Sequence, residues 1–212
     1  MTHRKRGLIA GVLFLAVAWM PVVAVAGPFE DGKAAFDSGD YATALRLWRT
    51  LAEQGHAPAQ VMLGVIYQDG QGVSQDYAEA ARWYHKAAEQ GDEFAEISLE
   101  QVLRILTDMG TEAIAGKDFA SALRLLEPAA ELGGAEAQHF LGLMYHDGLG
   151  VPQHYVQAHM WLNLAASRMP PGENRDNVVQ NRDLVALLMS PAQIAEAQEL
   201  AREWKPRGEQ AE

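Results

Sequence analysis

Tyr67 to Gly91 reads YQDGQGVSQDYAEAARWYHKAAEQG, and Tyr145 to Ser167 reads YHDGLGVPQHYVQAHMWLNLAAS. Both stretches carry a Tyr, a Gly-x-Gly-Val turn, a second Tyr, an Ala, a Trp and an Ala-Ala pair, in the same order and at the same spacing. The likeness extends upstream. Asp40-Tyr41-Ala42-Thr43-Ala44-Leu45-Arg46-Leu47 matches Asp118-Phe119-Ala120-Ser121-Ala122-Leu123-Arg124-Leu125. From there it runs without a gap to Ala87-Ala88 against Ala165-Ala166, with about half the positions identical. A chance apolar pattern would not keep Gly, Tyr and Trp in phase over that length. A fixed internal offset marks a stacked-repeat architecture, in which each copy is the wall its neighbour packs on.

Within one copy, two segments carry the helical period. Ala59, Leu63, Ile66, Tyr67 and Gly70 fall on one face, and Tyr77, Ala80, Ala81, Trp83, Tyr84, Ala87 and Ala88 on another. Between them, Gly70 is expected to close the first helix in a left-handed conformation, and Gly72 to let the chain turn sharply. Val73 plugs the gap between the helices. Ser74 is the expected N-cap of the next helix, and Pro152 suits an early helix position in the second copy. Gly91 ends the second helix. The small residues Ala59, Gly64, Ala80, Ala87 and Ala88 sit where helices would cross closely, with Trp83 and Tyr67 expected to fill the space they leave.

The pattern Ala57-x-Ala59-Gln60-x-x-Leu63-Gly64-x-x-Tyr67-x-x-Gly70-x-Gly72-Val73, followed by Asp76, Ala80, Trp83-Tyr84-x-Lys86-Ala87-Ala88 and Gly91, closely resembles the Sel-one-like repeat. That family is related to the tetratricopeptide repeats. The copy from Gly134 to Ala166 matches too, with His154 in place of the Asp and Leu162-Asn163-Leu164 in place of Tyr-x-Lys. Between the two, Glu100 stands where Gly is expected and Leu103 where Tyr is. The resemblance implies an all-α, right-handed α-solenoid of stacked antiparallel helix pairs over 27–205. Its expected parts are a leading pair over 28–55, a repeat over 56–91, a degenerate repeat over 92–133, a repeat over 134–169 and C-terminal capping helices over 173–205, with a tail over 206–212. In the capping region, Val178, Val179, Leu184, Leu187 and Leu188 have helical spacing. Ser190-Pro191-Ala192-Gln193 reads as a fresh helix start that runs to about Trp204 and stops at Pro206. The outer side of that last helix is polar.

The first residues have a different character. Arg4, Lys5 and Arg6 precede an uncharged apolar run from Leu8 to Trp19, and Ala24-Val25-Ala26 follows. This is the layout of a secretory signal peptide, so 1–26 is expected to be removed after Ala26, giving a periplasmic or secreted chain with no membrane span after cleavage. The apolar run is short for a bilayer span. The chain has no Cys, which excludes disulfides and a lipid-anchored Cys, so stability rests on packing. Acidic residues outnumber basic ones by 28 to 17, for a net charge of −11, and loss of Arg4, Lys5 and Arg6 makes the mature chain more acidic still. That argues against nucleic acid and against charge-driven binding to anionic membrane.

No zinc-protease helix motif, phosphate-binding loop or nucleophile elbow occurs, and no Ser has a Lys three residues on. The expectation is a chain that is not an enzyme and has no cofactor. His139, His146, His154 and His159 crowd the second copy, but without the ligand spacing of a zinc site they read as ordinary surface and boundary residues. What the repeat leaves free is the face opposite the core on the first helix of each pair: Val61, Val65 and Gln68 in one copy, His139, Leu143 and His146 in the other. In superhelices of this kind that face lines a concave groove, so these six are the candidate partner-binding residues. By the resemblance, the expected function is an exported, non-catalytic module that binds a protein or peptide partner in the cell envelope. The alternatives are a cell-wall-acting enzyme or a His-dependent metal- or pH-responsive binding module.

Overall fold

The computed structural model describes residues 27–206; the expected leader 1–26 and residues 207–212 of the tail lie outside the described residues. Among the described residues there are ten α-helices and no strand: α1 (Pro28–Asp37), α2 (Tyr41–Glu53), α3 (Ala57–Asp69), α4 (Tyr77–Ala88), α5 (Glu93–Ala115), α6 (Phe119–Glu131), α7 (Ala135–Asp147), α8 (Tyr155–Arg168), α9 (Glu173–Ala186) and α10 (Pro191–Glu203). Helices α1 with α2, α3 with α4, α5 with α6 and α7 with α8 form hairpins, and each hairpin packs on the next. The chain is a helical-repeat solenoid.

The starts of these helices are written in the sequence. The carboxylates of Asp40, Asp76, Asp92 and Asp118 accept from the backbone N–H of Thr43, Glu79, Ala95 and Ser121. These bonds satisfy donors that the first helical turn leaves orphaned. Hydrogen bonds from the Thr43 and Ser121 side chains, together with these backbone N–H groups, hold the Asp40 and Asp118 carboxyls below their ordinary range. His56 and His154 do the same work with Nδ1, on Ala59 and Gln157. Two sequence expectations fail here. The cap of α4 is Asp76, not Ser74, and α8 begins at Tyr155 behind His154, three residues past Pro152. The connector is longer because it is pinned before the helix restarts: Asp76 N–H donates to the Tyr67 carbonyl and His154 N–H to that of Tyr145, both at 2.9 Å. Gly70 and Gly148 close the preceding helices at φ 70° and 69°.

Each hairpin crosses at one buried glycine. A Cβ on Gly64 would stand 2.5 Å from the Tyr84 ring, and one on Gly142 2.8 Å from Leu162 Cγ. The same holds at Gly32, 2.5 Å from the Trp48 indole, and at Gly110, 2.6 Å from Leu126 Cγ. The large side chain over Gly64 is therefore Tyr84, not Tyr67 or Trp83 as the sequence suggested. Trp83 packs instead with Trp48, Leu63 and Ile66 in the core shared by α2, α3 and α4. Tyr67 is half-buried, and its hydroxyl accepts from the Arg49 guanidinium.

Between hairpins, a buried amide fixes register. Gln60 Nε2 donates to the Ala52 carbonyl, and Gln138 Nε2 to that of Ala130, each at 3.0 Å. In each case the first helix of a repeat binds a last-turn carbonyl of the preceding one, which also accepts from the N–H of Gly55 or Gly133 just past the helix end.

The C-terminal end departs from the regular stack. Helix α10 starts on a Ser190–Gln193 capping box as expected, but it packs back on α8 and not on α9. Trp204 lies edge-on to Trp161, with ring centroids 6.2 Å apart, and the Arg168 guanidinium sits 4.5 Å over the Trp204 ring. Helix α9 keeps only one covered face. Val178 and Val185 are buried, whereas Leu184, Leu187 and Leu188 are exposed, contrary to the apolar stripe their spacing suggested.

The glycine crossings generate a test. Gly64→Ala and Gly142→Ala should each lower stability by about 1–3 kcal/mol, the cost of overpacking a dense interface. Gly116→Ala is the control, because its nearest new contact is at 3.5 Å and its φ is −76°. Equal melting temperatures for all three variants would show that the helices do not meet at these glycines.

Candidate functional site

The first three hairpin crossings do not fall at the same height. In α3, of 13 residues, the glycine crossing sits mid-helix at Gly64; in α5, of 23 residues, it sits near the C-terminal end at Gly110. Helix α6 then runs back along α5 for only 13 residues. At 1.5 Å per residue, the first part of α5 extends about 15 Å beyond the end of α6. Its inner side is still covered, since Ala95 and Val102 are buried with Ala87 of α4. Its outer side is bare: Phe94 and Ile97 are 57% and 68% exposed.

The uncovered stretch forms one wall of a cleft of about 1040 Å³. Glu96, Ile97, Leu99, Glu100, Gln101, Leu103, Arg104 and Thr107 line it from α5. The opposite side is the α6–α7 turn, Gly133-Gly134-Ala135-Glu136, and the segment from Arg168 to Asn174 that joins α8 to α9. This volume is at the upper edge of small-molecule sites, roughly 300–1,000 Å³. It also suits a short stretch of polypeptide.

The six sequence-predicted residues lie on α3 and α7, with α5 stacked between the two helices. Val61 and Val65 are partly buried and pack against the main core cluster, so a charge placed there would test folding as much as contact. Gln68 Oε1 accepts from the Tyr84 hydroxyl at 3.0 Å, and its backbone carbonyl accepts from Gln75 Nε2. Burial, helped by nearby Asp69, pushes the Tyr84 phenol up to about 12. His139 is half-buried against α9, its Nε2 3.1 Å from the Asn181 side-chain amide. His146 Nδ1 lies 2.7 Å from the Asp147 carboxylate, and its ring packs on Tyr155. Leu143 is half-exposed. Counted from the N-caps of the three helices, Val61, Ile97 and His139 hold one equivalent place, Val65, Gln101 and Leu143 a second, and Gln68, Arg104 and His146 a third. The middle row, Ile97, Gln101 and Arg104, was absent from the sequence reading, and all three of its residues line the cleft. The alignment that sets Glu100 in the place of Gly64 also puts Ile97, Gln101 and Arg104 in this row, so their position is legible from sequence alone.

The four histidines of the second copy serve separate ends. His154 caps α8, His146 pairs with Asp147, His139 meets Asn181, and His159 is buried in α8 with no partner for its Nδ1. Burial pushes the His139 and His159 imidazoles below their usual range; for His159 the neighbouring Arg182 adds to the effect and Asp183 opposes it.

A protein-family model for the Sel1 repeat matches residues 29–56, 57–92, 109–134 and 135–168. The chain belongs to the Sel1 repeat family. The third matched repeat begins at Met109, beside the crossing glycine Gly110, so the first part of α5 lies between two matched repeats. Solved structures similar to this Sel1 repeat chain include a protective antigen of uropathogenic Escherichia coli strains displaying an SLR fold. It is 26% identical, with a TM-score of 0.43 over 84% of this chain and 44% of that one. A Sel1 repeat protein from Oxalobacter formigenes is 30% identical, with a TM-score of 0.33 over 63% of this chain and 95% of that one. The chain spans under half the length of the Escherichia coli protein. No curated protein matches it. Sel1 repeats generally serve as protein-interaction modules. Among the described residues, no helix is long and apolar enough to cross a membrane.

Half-buried His139 of α7 and buried His159 of α8 should give stability a pH dependence. An unfolded imidazole takes up its proton near pH 6.5. The folded values of His139 and His159 lie lower, so between the two the unfolded chain binds more protons. Their contribution is intact above pH 6.5 and is lost as the pH falls through 6.5 towards the folded values. The melting temperature should therefore drop between pH 7.5 and 5, and less steeply in His159→Gln. Parallel pH profiles for the two proteins would contradict this account.

Proposed function

We propose that this chain is an exported, non-catalytic binding module that holds a segment of a partner protein across the first helices of its repeats, centred on the cleft beside α5. The observation that carries the reading is the uncovered start of α5. Ile97, Gln101 and Arg104 face a cleft of about 1040 Å³, and among the described residues no helix covers them. A large exposed apolar residue on a rigid helix, beside a cleft rimmed by polar residues, is the usual anatomy of a docking site. Leu143, Gln68 and His146 stand in equivalent places on the flanking helices and extend the surface on either side. Repeat proteins bind in this way because contacts add along a curved wall of stacked helices. The signal-peptide layout of 1–26 supports export, and with it a periplasmic or secreted address.

A photo-cross-linking residue at Gln101 or Leu143 should capture the same partner, whereas one at Arg82, exposed on α4, should not. Anchors of this kind are worth about 2 kcal/mol or more. Ile97→Asp should therefore weaken the captured partner's affinity at least about tenfold at an unchanged melting temperature. Capture only from Arg82, or full affinity in Ile97→Asp, would move the interaction surface off this face. N-terminal sequencing of the envelope-fraction protein should begin at Gly27; an intact Met1 would refute export with cleavage.

A further inference from the structure

We infer that the cleft takes a net-cationic amphipathic segment, an inference that rests on reading the cleft as the binding site. Two features of the lining fix this chemistry. The first is its charge. Glu96, Glu100, Glu136 and Glu173 contribute four carboxylates, and none of the four pairs with a cation among the described residues. The lining cations are Arg104 and Arg168, and the second of these is already seated over the Trp204 ring. Four carboxylates against two guanidiniums leave the lining net acidic, and the net charge of the whole chain, −11, adds to that field.

The second feature is apolar. Ile97 projects into solvent, and Leu99 and Leu103 are half-buried on the same helix. An acidic surface without these would attract small cations; an apolar one without the carboxylates would accept any hydrophobic peptide. Together they select a segment with apolar side chains along one edge and Lys or Arg along the other. A neutral or acidic segment covering the cleft would take the carboxylates out of water without a partner, which disfavours it. The length also fits. The stretch of α5 left bare by α6, about 15 Å at 1.5 Å per residue, matches roughly three turns of a docked helix.

The test uses the mature chain and three fluorescent twelve-residue peptides with one Leu spacing and Lys, Gln or Glu at every polar position. The Lys peptide should bind at least about tenfold tighter than the other two, with an affinity that falls as salt rises. Glu100→Gln with Glu136→Gln should weaken it at least about fivefold, while Glu30→Gln with Asp31→Asn, on α1 outside the cleft, should not. Ile97→Ser should weaken whichever peptide occupies the cleft. If the Gln or Glu peptide binds as tightly as the Lys peptide and responds to Ile97→Ser, the charge inference falls and the cleft stands. If the α1 pair weakens the Lys peptide as much as the cleft pair does, the attraction is general and the inference falls. If no peptide responds to Ile97→Ser, the cleft itself is not the binding site.

Discussion

The contact on which this fold depends is a large side chain laid on a glycine. Four times along the chain, the second helix of a hairpin places Trp48, Tyr84, Leu126 or Leu162 against Gly32, Gly64, Gly110 or Gly142 of the first. A side chain on any of the four glycines would meet that residue at 2.5 to 2.8 Å. The glycine sets where along its length each hairpin closes. Once closed, a hairpin still has apolar surface on both flanks, and only the next hairpin can cover it. The buried amides of Gln60 and Gln138 then lock that stacking at one register.

The proposed binding surface rests on one irregularity in this rule. Moving the crossing from mid-helix in α3 to near the end of α5 leaves the start of α5 without a hairpin partner. In a regular repeat, that stretch would lie against its second helix. Here it packs inward on α4 and turns Ile97, Gln101 and Arg104 to a cleft. Regular repeats flank this stretch on both sides, and the interruption leaves its outer side uncovered. At the C-terminal end a second irregularity, the return of α10 onto α8, leaves Leu184, Leu187 and Leu188 exposed.

Much of the fold could be read from the sequence because the duplication carries it. Gly, Tyr and Trp kept in phase imply stacked helix pairs before any contact is known, and the capping box at Ser190 marks the last helix to the residue. The misreadings were of a different kind. Ser74 and Pro152 are reasonable helix starts by residue type, but the backbone bonds of Asp76 and His154 to Tyr67 and Tyr145 decide where the helices restart. Tyr84 lost its place to Tyr67 and Trp83 because periodicity shows that a residue faces a neighbour without showing which neighbour. Val61 and Val65 illustrate the same limit: a face opposite one core is the inside of the next. The cleft had a visible trace. The offset that relates Gly64 to Gly142 also relates Gly32 to Gly110, which places the crossing of the degenerate repeat well past Glu100.

The chain belongs to the Sel1 repeat family, whose repeats generally serve as protein-interaction modules, and we propose the bare start of α5 as the centre of contact. Hydrogen exchange of the mature chain with and without its cross-linked partner tests that most directly. The account predicts slowed exchange confined to residues 93–104, the turn at 133–136 and the segment 168–174. Slowed exchange confined to α4, α6 or α10, with 93–104 unchanged, would contradict it.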